Sequence, residues 1–306
     1  MVNGNLLTSF AVILLFQSVV GSDHWSYPDR NATNVFPQWG GLCDTGNRQS
    51  PIDLSLSGAL KGNFPDFEFH NYDKTLTSPS LLNNGHTVKL SNFNVQMTLT
   101  GGPLTDKFIV EEVHLHWWSE HTIDKIRYPM EAHIVHRNTR YANITEAASH
   151  KNGIAVVGVL FHASNEANKG IGKIIENIEF INSADEIGKP VKIEQKLNLR
   201  EFFPKLSGGY LSYPGSLTTP SCAEAVTWIV LLDTFPVTLD QVNEFKGIET
   251  YGGKKLTDNY RDVQKKNNRP VLVVHQESSD APASLRASTF SLIGSIVVLY
   301  ISKVLQ

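Results

Sequence analysis

The chain has 306 residues, of which 41% are hydrophobic and 19% charged, with a net charge of −3. That is enough apolar sequence for one large domain or two small ones with a proper core. No run of like charge stands out, which excludes a basic nucleic-acid-binding surface and an acidic disordered tail.

Read in order, the chain opens with an apolar block from Leu6 to Val20, broken by Thr8, Ser9, Gln17 and Ser18 and ending in Gly21-Ser22. This reads as a secretory signal peptide over residues 1–21, although a basic start is missing. A buried first strand or helix is the alternative, and the polar Ser22-Asp23-His24 counts against it. Asn31-Ala-Thr33 and Asn143-Ile-Thr145 are acceptor sequons for N-glycosylation at Asn31 and Asn143. Between Trp25 and Gln276 there is no linker, repeat or low-complexity segment, so residues 22–279 read as one domain.

Short alternating runs dominate that domain: Phe67 to His70, Thr87 to Leu90, Asn94 to Leu99 and Lys192 to Leu197. The apolar runs from Ile154 to Phe161 and from Val226 to Leu232 predict fully buried central strands. Helical patterns are few, from Lys169 to Asn177 behind a capping Asn168 and from Leu239 to Phe245. The pattern predicts a mostly β, single-domain fold with a few short peripheral helices.

Two histidine-bearing runs hold the chemistry. In Glu112-Val-His114-Leu-His116 the polar residues share one face of a strand, and Glu131-Ala-His133-Ile-Val135 repeats the alternation. Two imidazoles from one strand and a third from its neighbour suit a catalytic zinc, which takes three protein ligands and leaves a fourth position for solvent. No cysteine lies near, which argues against a closed structural site. On spacing alone a second reading stands beside it: hydrogen-bonded histidines without metal. No H-E-x-x-H helix of a metalloprotease is present.

Toward the C-terminus, Gln276 to Arg286 is small and polar, and Ala287 to Leu305 is mostly apolar with Lys303 near its end. The order matches a removable GPI-attachment signal over residues 280–306, with Ser279 as the attachment residue. A single-pass membrane anchor is the alternative. The only two cysteines, Cys43 and Cys222, read as one disulfide in an oxidising compartment.

The motifs H-W-S-Y, R-Q-S-P-I-D, N-N-G-H, H-L-H-W, S-E-H-T-I-D, E-A-H-I-V-H, Y-P-G-S-L-T-T-P and D-N-Y-R follow one another between His24 and Arg261. In this order they resemble the alpha class of carbonic anhydrases, of the secreted or GPI-anchored type. The resemblance implies a large twisted, mainly antiparallel sheet, with one Zn2+ per chain at the bottom of a cone-shaped cleft. It implies His114, His116 and His133 as zinc ligands, with Glu131 receiving a proton from His133. Glu112 stands where the family commonly has glutamine, and Lys89 where it often has asparagine. The resemblance also implies a relay in which Glu120 accepts the hydroxyl proton of Thr218, with Thr219 on the substrate side. Val135, Val156, Leu217, Val226 and Trp228 match the apolar wall for carbon dioxide. His86 matches the proton shuttle, with Tyr27 and Asn84 ordering the water between. Cys43 and Cys222 match the disulfide of secreted relatives.

The implied activity is reversible hydration of carbon dioxide to bicarbonate at the outer cell surface, with sulfonamide inhibitors expected to bind. A catalytically weak cell-surface binding protein on the same scaffold is the alternative. One departure stands out. Only Trp117, Trp118 and Ser119 separate His116 from Glu120, where relatives have a longer, glycine-containing loop. Trp-Trp-Ser is poor hairpin chemistry, so the turn is expected further on, with Trp118 exposed.

Overall fold

The computed structural model describes residues 25–28, 30, 39–204, 206 and 208–275. The signal-peptide and anchor readings, Asn31 and Ser279 lie outside them. Among the described residues, no helix is long and apolar enough to cross a membrane.

A 12-stranded sheet organises the chain. From one edge its order is Val191–Lys192, Ser80–Asn83, Val88–Ser91, Phe108–Trp117, Met130–Asn138, Ile154–Ala163, Val226–Val237, Tyr210–Gly215, Leu272–Val274 and Leu60–Lys61, and the other two, Thr98–Thr100 on Phe108–Trp117 and Glu68–His70 on Thr98–Thr100, branch off it. Two pairs are parallel: Ile154–Ala163 with Val226–Val237, and Leu272–Val274 with Leu60–Lys61. The remaining pairs of this sheet are antiparallel, so it is mixed and mainly antiparallel. The near-continuous apolar sequence of Ile154–Ala163 fits a strand covered on both faces, and its first eight residues are buried.

Alternation along the central strands sorts side chains into two cores. Val113, Leu115, Trp117, Ala132 and Ile134 face the larger one. Val135, Val156, Val226 and Trp228 face the smaller one, and His133 shares that side, its ring against Trp228. The register slips between Val135 and His136, opposite Glu111. Beyond this bulge His136 points into the core behind the sheet, bonded to the Tyr72 hydroxyl and to the Ala155 carbonyl at 3.1 Å.

Among the described residues, four short α-helices lie around the sheet, at Leu42–Thr45, Ile144–Ala148, Lys169–Ile175 and Leu239–Phe245. Asn168 caps the third through the Ile171 amide, and Thr238 and Gln241 form a capping box on the fourth. Cys43 and Cys222 are joined by a disulfide that spans a sequence separation of 179.

Two strands are shorter than the alternation predicts. Only Thr98–Thr100 of the Asn94 run pairs, because Asn94 uses its side-chain oxygen to accept from the Thr77 amide in a loop. The Lys192 run pairs only at Val191–Lys192 on the sheet edge, and Leu197 returns as an isolated bridge to Leu76.

After the short His116–Glu120 connection the chain turns further on, between Thr122–Ile123 and Ile126–Arg127. Asp124 and Lys125 carry φ of 47° and 67° there, the left-handed pair of a type I′ turn. Trp118 is left 44% exposed.

Candidate metal centre

The centre is built by strand register. His114 lies directly opposite His133, and Glu131 opposite His116, across the Phe108–Trp117 and Met130–Asn138 strands. The ligand atoms of His114, His116 and His133 all lie within 4.8 Å of one another. His133 Nδ1 is 3.2 Å from His114 Nε2.

The other nitrogen of each ring has a partner. His114 Nδ1 is 3.1 Å from Glu112 Oε1, His116 Nδ1 donates to the Asn259 carbonyl at 2.7 Å, and His133 Nε2 donates to Glu131 Oε1 at 2.9 Å. Protons held on these outer nitrogens leave His114 Nε2, His116 Nε2 and His133 Nδ1 as lone-pair donors facing one point. His116 Nε2 is buried and makes no hydrogen bond. Such an atom is costly unless something else occupies it. Three convergent imidazoles without sulfur fit a zinc-type cation. Burial brings His116 down to about 3, helped by His114, and brings His133 down to about 4 against the upward pull of Glu131. Both rings are therefore neutral at physiological pH, as ligands must be.

Glu131 is held by donors on every side. Its Oε2 accepts from the Glu120 and His121 amides at 2.9 and 2.8 Å, and its Oε1 from His121 Nδ1 at 2.7 Å besides His133. Burial alone would raise this carboxyl; His121 and His133 outweigh it and hold it well below the usual range. His121 continues to the Tyr213 hydroxyl at 2.7 Å. The second candidate cluster, His121 with Glu131 and His133, is thus a hydrogen-bond network.

Glu120 reaches the centre despite its short connection. Its Oε1 accepts from the Arg261 amide at 2.8 Å, and its Oε2 lies 3.4 Å from His116 Nε2 and 3.9 Å from His133 Nδ1. Burial raises its carboxyl, opposed by His133 and by the polar Thr218 hydroxyl nearby; its Oε2 is buried without a hydrogen-bond partner among the described residues. Thr218 is buried and Thr219 half-buried, in a turn closed by the Cys222 amide on the Thr219 carbonyl at 2.8 Å. Trp228 donates to the Ser216 carbonyl at 3.0 Å and packs its ring 4.8 Å from His133. Gly215 is required here: a Cβ would stand 2.2 Å from Ser50 Oγ and 2.7 Å from the Trp228 ring. Val135, Val156 and Val226 are buried in the same core, with Leu217 packed against it.

His86 sits farther out, in the turn between Ser80–Asn83 and Val88–Ser91. Asn84 shapes the turn by accepting from the His86 and Thr87 amides. The His86 ring stacks on Trp25 at 3.8 Å, and its Nε2 donates to the Trp25 carbonyl at 2.7 Å. A cavity of about 120 Å³ lies beside it, lined in part by Tyr27, Tyr251 and Leu256. The Tyr27 hydroxyl is buried without a hydrogen-bond partner. Burial raises its pKa well above the usual value, and the charge of Glu120 adds to that.

A model of the eukaryotic-type carbonic anhydrase family matches residues 34–275. The chain belongs to this family. It is similar to "Carbonic anhydrase 6" of Mus musculus, 33% identical over 276 residues that cover 85% of this chain and 84% of the relative. The Bos taurus protein of the same name is 30% identical over 280 residues, with 85% and 84% covered.

Sequence reasoning missed Asn259 in this carbonic anhydrase centre, as it missed the Arg261 amide on Glu120. The Asn259 carbonyl holds His116, its Oδ1 accepts from the Trp117 amide at 2.8 Å, and its Nδ2 donates to the carbonyls of Leu115 and His86. The only signal was its place in D-N-Y-R. Lys89, where the family often has asparagine, places its Nζ 3.0 Å from Glu112 Oε2.

Proposed function

We propose that this carbonic anhydrase is a zinc lyase that interconverts carbon dioxide and bicarbonate at the outer face of the cell membrane, with one zinc per chain. The observation that carries the zinc reading is the convergence of three ring nitrogens whose opposite nitrogens are all engaged. When bound, zinc supplies Lewis-acid activation of solvent, chemistry for which carbonic anhydrase is itself the usual example.

The chain's own residues do the rest. Glu120 accepts the Thr218 hydroxyl hydrogen, which leaves a Thr218 lone pair to accept from the attacking oxygen. That oxygen is thereby aimed at carbon along one direction. Val135, Val156, Leu217, Val226 and Trp228 form a wall that suits a gas with almost no hydrogen-bonding capacity, and Thr219 borders the polar side. Hydration of carbon dioxide releases bicarbonate and one proton. His86 takes that proton through water ordered by Tyr27 and Asn84, and passes it to buffer. Sulfonamides are expected to bind at the same centre.

Residues 1–21 serve as a signal peptide, 22–279 as the catalytic domain, and 280–306 as a propeptide exchanged for a GPI anchor at Ser279. Asn31 and Asn143 carry glycans. Asn143 is exposed and uses only its Oδ1, to cap Ile144–Ala148 through the Glu146 amide, which leaves its amide nitrogen available.

Stopped-flow hydration with metal analysis tests the reading. One zinc per chain with sulfonamide-sensitive turnover supports it. Zinc without turnover would turn the protein into a cell-surface binding module, a reading favoured by exposed Trp118 beside the shortened connection. Phospholipase release from intact cells tests the lipid anchor, and retention would favour a single-pass anchor.

A further inference from the structure

The three ring partners differ in how firmly they are themselves held. Asn259 offers a backbone carbonyl, fixed by the chain, and its side chain ties it to three other residues. Glu131 is buried and accepts from two amides and two imidazoles. Glu112 stands at the rim, its side chain 27% exposed, and its described polar contacts are His114 and Lys89.

Strand register sets that contact. The Val88–Ser91 strand runs antiparallel to Phe108–Trp117, with Lys89 opposite His114 and Ser91 opposite Glu112. Lys89 therefore reaches one oxygen of Glu112 at 3.0 Å while the other lies 3.1 Å from His114 Nδ1. We propose that Lys89 is a positioning residue for the metal: by fixing one oxygen of Glu112 it holds the other against the Nδ1–H of His114, and so keeps His114 Nε2 turned toward the other two rings. The proposal rests on the zinc reading of His114, His116 and His133.

The physical reason is charge as well as reach. A carboxylate at the rim without a cation turns into water, where its solvation is better. With Lys89 in place the pair has no net charge, and the carboxylate remains on the imidazole. A glutamine at position 112 would accept the same Nδ1–H with no charge to neutralise. The effect of Lys89 must therefore depend on Glu112 being an acid.

That dependence is the test. Purified zinc-loaded wild type, Lys89→Met, Lys89→Arg, Glu112→Gln and the double variant K89M/E112Q are mixed with a chromogenic chelator, and zinc release is timed. Lys89→Met is expected to release zinc about tenfold faster, as loss of a residue supporting a ligand typically does. Lys89→Arg should stay close to wild type. In the Glu112→Gln background, removal of Lys89 should change the rate by less than about twofold. Thermal midpoints of the metal-free forms should match, which a merely structural role would not give. Equal acceleration in both backgrounds, or a wild-type rate in Lys89→Met, would overturn the proposal while the zinc reading stands. A wild-type chain that retains no zinc would overturn both.

Discussion

His133 and His114 face each other across one strand pair, yet they sit in different media. His133 is 1% exposed, and its partner Glu131 is sealed in with His121 and Tyr213 behind it. The His114 side chain is 16% exposed, and Glu112 and Lys89 are each more than a quarter exposed. The deep corner is held by many neutral donors in a dry core, the rim corner by one ion pair in partial contact with water. A missing group is thus felt as stability in the first case and as ligand placement in the second.

The sharpest way to break this contrast is to remove one ring from each side. His133→Ala and His114→Ala should both lose zinc and reduce hydration to the buffer background. They should differ once metal is stripped. His133→Ala deprives a buried carboxylate of a donor, which costs roughly 1–3 kcal/mol. His114→Ala leaves Glu112 able to turn to water, and its metal-free form should unfold close to wild type. Calorimetry of the chelated proteins decides this, and equal midpoints would erase the distinction.

Acid separates the two regions along the pH axis. Burial brings His136, behind the sheet, to about 4, and the deep imidazoles His133 and His116 to about 4 and about 3. Unfolded, such rings take protons near 6.5. The folded metal-free chain binds fewer protons than the unfolded one in this window. Stability is therefore full above about 6.5 and declines as pH falls toward 4. For His136 alone the drop from 6.5 to about 4 corresponds to about 3 kcal/mol. At the rim, burial would raise Glu112, but His114 and then Lys89 bring it to about 2. Its contribution is present above 4.5 and is lost as pH falls toward 2. Urea titrations from pH 7 to 2 should show His136→Gln reducing the decline in the upper window, where His133 and His116 still contribute, and Glu112→Gln changing only the lower one.

What was legible in the sequence follows the same division between local and distant. The period-two spacing of His114, His116, Glu131 and His133 is local, so a strand pair sufficed to bring them together. Glu120 and Thr218 were named through the family resemblance alone, and the structure puts the Glu120 carboxylate 3.4 Å from His116 Nε2. Asn259 could not be read this way, since it meets His116 from 143 residues away through a backbone atom, which leaves no mark on residue type. Lys89 and Glu112 were both noticed in the sequence, but their pairing depends on the register between two strands, which alternation does not fix. The Trp-Trp-Ser connection was legible as a poor turn, and Asp124-Lys125 then supplies the left-handed residues it lacks.

Thr218 lies on the deep side of the comparison. Thr218→Ala should retain zinc and lose about 100-fold in kcat/KM, the scale on which small misplacement of a reacting atom is felt. The same variant removes the Thr218 hydroxyl that lowers the buried Glu120 carboxyl, so the pH dependence of turnover should shift with it. Zinc-replete Thr218→Ala with wild-type turnover would place the aiming of the attacking oxygen elsewhere.

The smallest effect belongs to the outermost residue. His86 stacks on Trp25 and donates to its carbonyl, with the 120 Å³ cavity and Tyr27 beside it. Nothing in that placement touches the three ligand rings directly, so His86→Ala should leave zinc affinity and the metal-free midpoint unchanged. What it removes is the imidazole proposed to relay a proton outward. General acid–base groups typically contribute 100-fold or more, but buffer can replace one at the protein surface, so a loss of about tenfold is expected in weak buffer. Added imidazole should restore the rate, because a diffusing ring can occupy the space the side chain vacates. Because the Asn259 amide also donates to the His86 carbonyl, substitution there would move the shuttle turn and the His116 partner together. The alanine variant at His86 keeps that backbone contact, so it separates proton transfer from metal support. An unchanged rate in weak buffer would assign the proton exit to solvent at the exposed rim.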